Sequence, residues 1–149
     1  MTSDSTGTKP DSTDRVLIVD LGGGLYGLDS GAVREIVSLL PPTRLPGAPA
    51  HVRGVVNLRG QLLTVVDAAH RLTGNPTASI NGSIVVVTVG EKPLGLIVDD
   101  VHDVQDLQVV PAEREVLART DGLLTGVGRL GDEVVLVIDI PELVRQTLP

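Results

Sequence analysis

The glycine-rich segment after the first apolar run is the part of this sequence that most resembles a cofactor-binding motif. Gly22-Gly23-Gly24-Leu25-Tyr26-Gly27 fits the Gly-x-Gly-x-x-Gly spacing that places a dinucleotide pyrophosphate on a helix N-terminus. Such a site needs a substantial helix after the loop and an acidic residue about 20 positions further on. Here Pro41-Pro42 ends any helix early, and Arg44-Leu45-Pro46-Gly47 stands where the acidic residue is needed. The loop therefore indicates a hairpin turn, and nucleotide binding through Gly22–Gly27 is the weakest alternative function.

The remaining polar clusters lack the spacing of a metal or catalytic site. Asp99-Asp100-Val101-His102-Asp103 does not follow the ligand order of a calcium loop and indicates carboxylates on a solvated face. His51, His70 and His102 have no zinc-binding spacing, and no Gly-x-Ser-x-Gly nucleophile motif occurs. Cysteine is absent, which excludes thiolate chemistry. The sequence predicts a protein that is not an enzyme, with no catalytic residue, cofactor or metal.

Composition favours a β-rich fold and argues against nucleic-acid binding. Of 149 residues, 42% are hydrophobic, yet Phe and Trp are absent and Tyr occurs once, so the core must be aliphatic. A net charge of −7 opposes binding to phosphate backbones. No apolar run is long enough to span a bilayer, and the Ser/Thr/Asp-rich start is not a secretory signal. We expect a cytoplasmic protein without direct membrane insertion, with residues 1–13 as a disordered tail.

The chain contains an internal repeat. At an offset of 68 residues, Val16-Leu17-Ile18-Val19 aligns with Ile84-Val85-Val86-Val87, and Gly22 aligns with Gly90. At an offset of 72, the run from Leu62 to Asp67 aligns with the run from Val134 to Asp139. Repeats of this kind reveal architecture. We predict one domain over residues 14–149, with one subdomain at about 14–74 and a second at about 83–148.

Each half reads as short strands joined by tight turns. Two-residue connections at Arg59-Gly60 and Gly131-Asp132 separate apolar runs, as in β-hairpins. Only short helices are predicted, at Ser30–Val37, Ala68–Leu72 and Pro141–Gln146. Without long crossover helices, this pattern predicts an all-β fold of two small β-barrels packed side by side.

The sequence leaves two interpretations open for Glu35 and Arg59. Arg59 is predicted at a hairpin tip and Glu35 at the end of the short helix, so the two side chains can meet across the surface. An ordinary surface ion pair contributes only ~0–1 kcal/mol. If the pair instead borders an apolar groove lined by Val33 and Ile36, it would orient a bound helix.

Several motifs in order resemble the CheW family. The segment Thr43–Gly60, which ends in Asn57-Leu58-Arg59-Gly60, is similar to the family signature, and the strand after it ends in Asp67 as in the family. Shorter matches to the family motifs precede and follow the signature: Tyr26-Gly27-Leu28-Asp29, Val33-Arg34-Glu35-Ile36, Gly95-Leu96-Ile97-Val98-Asp99 and Leu124-Thr125-Gly126-Val127-Gly128. The first strand lacks the Phe common in the family, and Leu123 stands where an aromatic residue is usual; both are changes of core size. The resemblance covers about residues 15–145 and implies two pseudo-duplicated, five-stranded SH3-like barrels.

The resemblance also implies a function. Such proteins are adaptors that couple the cytoplasmic tip of chemoreceptors to the regulatory domain of a CheA-type histidine kinase. On matching positions the implied receptor-binding residues are Val33, Glu35, Ile36, Arg59 and Val101. The alternative within the same family is a scaffold in another signalling system, such as surface motility or pilus control.

Overall fold

Short strands dominate the fold, and they form two sheets. The computed structural model describes residues 13–77 and 81–148. The predicted disordered tail lies outside the described residues, apart from the exposed Thr13. The strands are β1 (Asp14–Leu21), β2 (Gly24–Asp29), β3 (Val33–Ser38), β4 (Val52–Leu58), β5 (Gln61–Asp67), β6 (Ser83–Val89), β7 (Lys92–Val98), β8 (Asp100–Leu107), β9 (Val109–Pro111), β10 (Leu124–Leu130) and β11 (Glu133–Ile138). The helices are α1 (Ala68–Thr73), α2 (Arg114–Arg119), α3 (Ile140–Thr147) and a 3₁₀ turn at Ser30–Ala32.

The two sheets share one connectivity. Sheet 1 has the strand order β9-β10-β11-β2-β1-β8, and sheet 2 has the order β3-β6-β7-β5-β4. Most neighbouring strands are antiparallel, but β2 and β11 pair in parallel, as do β5 and β7. The all-β prediction is confirmed, with two differences: the sheets are open rather than closed barrels, and sheet 1 has six strands instead of five. The sixth strand is β9, whose three residues pair with β10.

The strand registers reproduce the sequence repeat. Val33 pairs with Val87 where β3 meets β6, and the aligned residues Val101 and Val19 pair where β8 meets β1. The bulge between Val52 and Gly54 recurs between Leu124 and Gly126. Each sheet combines strands from both halves, because hairpin β1–β2 joins sheet 1 and hairpin β6–β7 joins sheet 2. The two halves of the sequence have therefore exchanged their first hairpins.

Three apolar cores hold the sheets together. The central core takes fully buried residues from both sheets, including Val19 and Leu28 from sheet 1 and Val85 and Leu96 from sheet 2. A second core lies within sheet 2, and a third lies within sheet 1. Helices α1 and α3 add Ala68, Ala69, Leu143 and Val144 to the central core. The core is aliphatic, as the composition predicts, with Tyr26 as its aromatic member.

The helix predictions divide into right and wrong. Helices α1 and α3 lie where the sequence predicts them, each capped by the carboxylate of the preceding Asp. The helix predicted over Ser30–Val37 is wrong: after the 3₁₀ turn, the chain forms strand β3 with alternating exposure. β-Branched residues favour a strand where a neighbouring strand is available for pairing, and this segment has three: Val33, Ile36 and Val37. Strand β6 is the neighbour with which they pair. The glycine loop is the predicted hairpin turn, with Gly22 and Gly23 at positive φ between β1 and β2.

Candidate functional site

A β-bulge in β3 decides which way its side chains point. Val33 pairs with Val87 and Glu35 pairs with Val86, so Arg34 is the extra residue. Val87 belongs to the central core and Val86 to the core of sheet 2. Val33 and Glu35 therefore face opposite sides of the strand, although they are two residues apart.

An apolar rim borders the central core on two edge strands, β3 of sheet 2 and β8 of sheet 1. Ile36 returns to the face of Val33, and Val101 and Val104 occupy the matching positions of β8. Val33 and Val101 are half-buried against the central core, whereas Ile36 is 44% exposed and Val104 is 39% exposed. Aliphatic side chains exposed beside a core are available to pack against a partner. We call Val33, Ile36, Val101 and Val104 the apolar rim.

A charged cleft lies on the other face of β3. Arg59, at the predicted tip of the β4–β5 hairpin, has φ of 51° and donates a hydrogen bond from Nη2 to Oε2 of Glu35. The turn is fixed by the Gly60 N–H, which donates to Asn57 Oδ1 over 2.8 Å. The cleft has a volume of about 290 Å³ and is also lined by Leu62 and other residues of the hairpin. Arg59 remains 66% exposed and Glu35 29%, so the pair is accessible to a partner.

The five residues implied by the resemblance thus lie on two surfaces. The structure brings Glu35 and Arg59 together in the charged cleft. Val33 and Ile36 are on the opposite face of β3, and Val101 is on the edge strand of sheet 1. One interpretation of the sequence places the ion pair beside an apolar groove lined by Val33 and Ile36. The structure does not form that groove, because the bulge turns Glu35 to the opposite face of β3.

Sequence reasoning missed several exposed apolar residues. Val104 completes the apolar rim, and Leu62 and Val134 are 72% and 52% exposed on the outer hairpins of the two sheets. Leu62 and Val134 occupy equivalent positions of the repeat. Leu63 and Val65 are buried on one face of β5, and Leu62 shares the other face with the polar Thr64. Period-two alternation around Thr64 would have placed Leu62 outside, although Val66 on that face is buried too.

Asp67 organises the end of β5. Its side chain is fully buried and accepts hydrogen bonds from Arg53 Nη2 at 2.8 Å, the His70 N–H at 3.0 Å and the Thr77 N–H at 2.9 Å. The carboxylate thereby caps α1 and holds the segment that follows it. Burial lowers the pKa of the nearby His51, and Arg71 and the neighbouring His70 lower it further, which together outweigh the opposing effect of the Asp67 charge. These bonds stabilise the fold around Asp67.

Two carboxylates and a histidine meet on the exposed surface of sheet 1. Asp20 and Asp100 are directly opposite each other on β1 and β8, and His102 Nε2 lies 3.1 Å from Asp20 Oδ2. The ligand atoms of the three residues lie within 4.8 Å of one another. Asp100 and His102 are two residues apart on β8, and the register of β1 and β8 brings the distant Asp20 to them. The side chains of His102 and Asp20 are 45% and 34% exposed, which is an ordinary setting for polar groups in contact with water.

The fold and its surfaces define a class of protein. Aliphatic residues border the shared core on β3 and β8, and a charged cleft lies on the other face of β3; apolar patches beside polar groups are the composition of protein–protein interfaces. Within the parts of the chain that the structure describes, no helix is both long and apolar enough to cross a membrane. These are the features of a small β-sheet scaffold.

Comparison with known proteins identifies the family. The CheW-like domain family matches residues 15–148, so this chain belongs to the CheW family, which comprises chemotaxis scaffold and adaptor proteins. The chain is 32% identical to the chemotaxis protein CheW of Klebsiella aerogenes over 131 residues, covering 85% of this chain and 79% of that protein. The crystal structure of the scaffolding protein TtCheW from Thermoanaerobacter tengcongensis superposes with a TM-score of 0.77 at 28% identity, covering 86% and 90% of the two chains. Protein PilI of Pseudomonas aeruginosa is 33% identical over 91 residues, covering 60% of this chain and 51% of that protein.

Proposed function

We propose that this protein couples chemoreceptors to a CheA-type histidine kinase and acts in the cytoplasm at the receptor arrays. The observation that carries the proposal is the apolar rim, in which Ile36 and Val104 stay exposed beside the central core. Burying such side chains against an amphipathic helix supplies desolvation energy of about 25 cal/mol per Å². A chemoreceptor tip is helical, so helix-in-groove docking is the mode that suits it.

The charged cleft gives the proposed contact its direction. The accessible pair of Arg59 and Glu35 can exchange its internal hydrogen bond for contacts with a charged residue of the receptor. Complementary charge at the edge of an interface contributes more to orientation and association rate than to affinity. In this proposal the receptor helix lies along the edge of β3, the outermost strand of sheet 2, so that the apolar rim anchors it from one face and the charged cleft sets its register from the other.

The test is a calorimetric titration of the protein with a receptor-tip fragment. Ile36→Asp and Arg59→Glu should each weaken binding at least about tenfold, a loss of about 1.4 kcal/mol. Arg145→Glu is the matched control, because Arg145 also pairs with a carboxylate, that of Glu142, but lies on the exposed side of α3, outside the apolar rim and the charged cleft. Unchanged affinity in Ile36→Asp, with an unchanged melting temperature, would exclude the apolar rim as the receptor-binding surface.

The kinase contact needs a separate titration with the kinase regulatory domain. Saturable binding of wild-type protein is expected, and Ile36→Asp should retain it, since the apolar rim is assigned to the receptor. Loss of both interactions in Ile36→Asp would mean that the two partners share one surface.

A second candidate is a scaffold for surface motility or pilus control. The similarity to PilI favours it, although that match covers a shorter part of both proteins. Parallel titrations against the kinases of both systems in the same organism separate the candidates, since a scaffold should prefer its own kinase.

A further inference from the structure

A second groove lies where the segment before β4 folds back over α1. Its volume is about 370 Å³, and its apolar lining includes Pro42, Leu45, Pro49 and Val52. Arg44, Arg53 and His70 contribute the nitrogen-bearing side chains. We call this the proline groove. It shares none of its described lining residues with the charged cleft or the apolar rim.

The walls of the proline groove are held in place. Thr43 and Val55 exchange two backbone hydrogen bonds of 2.8 and 2.9 Å, which fasten the segment to β4. The Val52 N–H donates to Pro49 O at 3.0 Å and closes the loop on itself. The prolines remove backbone freedom as well. A groove formed before binding avoids much of the ordering cost of association.

The charge of the proline groove opposes that of the molecule. The protein carries a net charge of −7, yet no acidic residue is among the described residues that line the groove. Arg44 makes no ion pair or hydrogen bond with any described residue. Arg53 is aimed by the bond from its Nη2 to the buried Asp67, which leaves its side chain 38% exposed. Its guanidinium has further N–H donors for a ligand.

We propose that the proline groove binds an extended, acidic segment of a protein partner. A carboxylate of that segment lies against Arg44, a second reaches the outer donors of Arg53, and an apolar side chain covers Leu45, which is 42% exposed. Arginine suits this task because its planar fork can hold a carboxylate through two parallel hydrogen bonds. This surface is independent of the one assigned to the receptor under the proposed function.

The probe is a capped, dye-labelled peptide carrying two glutamates and two leucines, with fluorescence anisotropy as the readout. The control peptide has glutamines in place of the glutamates. Arg44→Ala and Leu45→Ser are the test variants, since both side chains are accessible and neither holds the buried Asp67. Arg129→Ala is the matched control, because Arg129 is also exposed and unpaired among the described residues but lies on β10.

Saturable binding of the acidic peptide is expected, with the glutamine peptide at least about tenfold weaker, as for the loss of a charged hydrogen bond. Arg44→Ala should weaken binding by a similar factor, and Arg129→Ala should not. No binding at millimolar peptide, or equal losses in Arg44→Ala and Arg129→Ala, would overturn the proposal. Preference for a single-stranded oligonucleotide over the peptide, with the same dependence on Arg44, would assign the groove to a phosphate backbone and overturn it as well.

Discussion

At the scale of single residues, Asp67 and Asp139 make a natural comparison. They are equivalent in the repeat, and each caps the helix that follows, through the His70 N–H and the Glu142 N–H, both at 3.0 Å. Asp67 is fully buried and has two further donors, Arg53 and the Thr77 N–H. The same cap therefore carries a larger structural role in the first half.

Asp67→Ala should lower the free energy of unfolding by about 2–4 kcal/mol, because the cap is lost and the other donors lose their acceptor. Asp139→Ala, which removes a cap alone, should cost about 1 kcal/mol. Chemical denaturation of the two variants checks the difference. Equal losses would show that the bonds from Arg53 and Thr77 contribute nothing to stability.

Prediction from sequence succeeds for the position of Arg59 and for its contact with Glu35, but it fails for the element that carries Glu35 and for the face on which Glu35 lies. Leu58-Arg59-Gly60 between two apolar runs is sufficient to place Arg59 at a hairpin tip. The direction of Glu35 depends on the bulge that makes Arg34 the extra residue, and a bulge is set by pairing with β6. Long-range pairing of this kind leaves no local signal near Glu35.

At the scale of elements, Gly54 controls the edge of sheet 2. It sits at the bulge of β4 with φ of 133°, and a Cβ atom added there would lie 1.9 Å from the carbonyl oxygen of Thr43. The close approach permits the hydrogen bonds between Thr43 and Val55 that fasten the wall of the proline groove.

Gly54→Ala should destabilise the protein by at least about 3 kcal/mol, since the backbone strain and the clash with Thr43 add together. Gly47→Ala is the matched control: its φ is also positive, at 79°, but no atom lies within 4 Å of an added Cβ. That control should cost about 1–2 kcal/mol, from the strain alone. Thermal melts compare the two variants, and similar melting temperatures would show that the segment at Thr43 moves away at little cost.

The elements also show where sequence patterns are reliable. Tight turns and capped helices carry their own signals, so hairpin β4–β5, α1 and α3 are predicted correctly. Ser30–Val37 has two competing signals, because a short apolar run suits either a helix or a strand. The choice between helix and strand depends on whether a strand is available for pairing. Here that strand is β6, which comes more than 40 residues later in the chain.

At the scale of the whole molecule, the exchange of hairpins makes each half depend on the other. Sheet 2 lacks two of its three inner strands without β6 and β7, and sheet 1 lacks β1 and β2 without the first half. The central core likewise takes its buried residues from both halves. The repeat is visible in the sequence, but which strands pair across it is not, because both pairings satisfy the same apolar pattern.

Residues 14–74 and 83–148, expressed as separate fragments, should therefore each be unfolded, while the full chain should unfold in one cooperative transition. Circular dichroism of the fragments and calorimetry of the full chain are the measurements. Mixing the fragments should restore part of the β signal. A fragment that melts cooperatively as a monomer would mean that the subdomains fold as independent units.

The reciprocal exchange is also the geometry of a domain-swapped homodimer whose two copies have been joined in one chain. Two separate copies must keep identical surfaces, whereas joined copies can diverge. The positions equivalent to Glu35 and Arg59 are Asp103 and Gly131, so one half carries the charge pair and the other has no cation at that position. Joining the copies thus makes the assembly asymmetric, so that its two halves can recognise different partners.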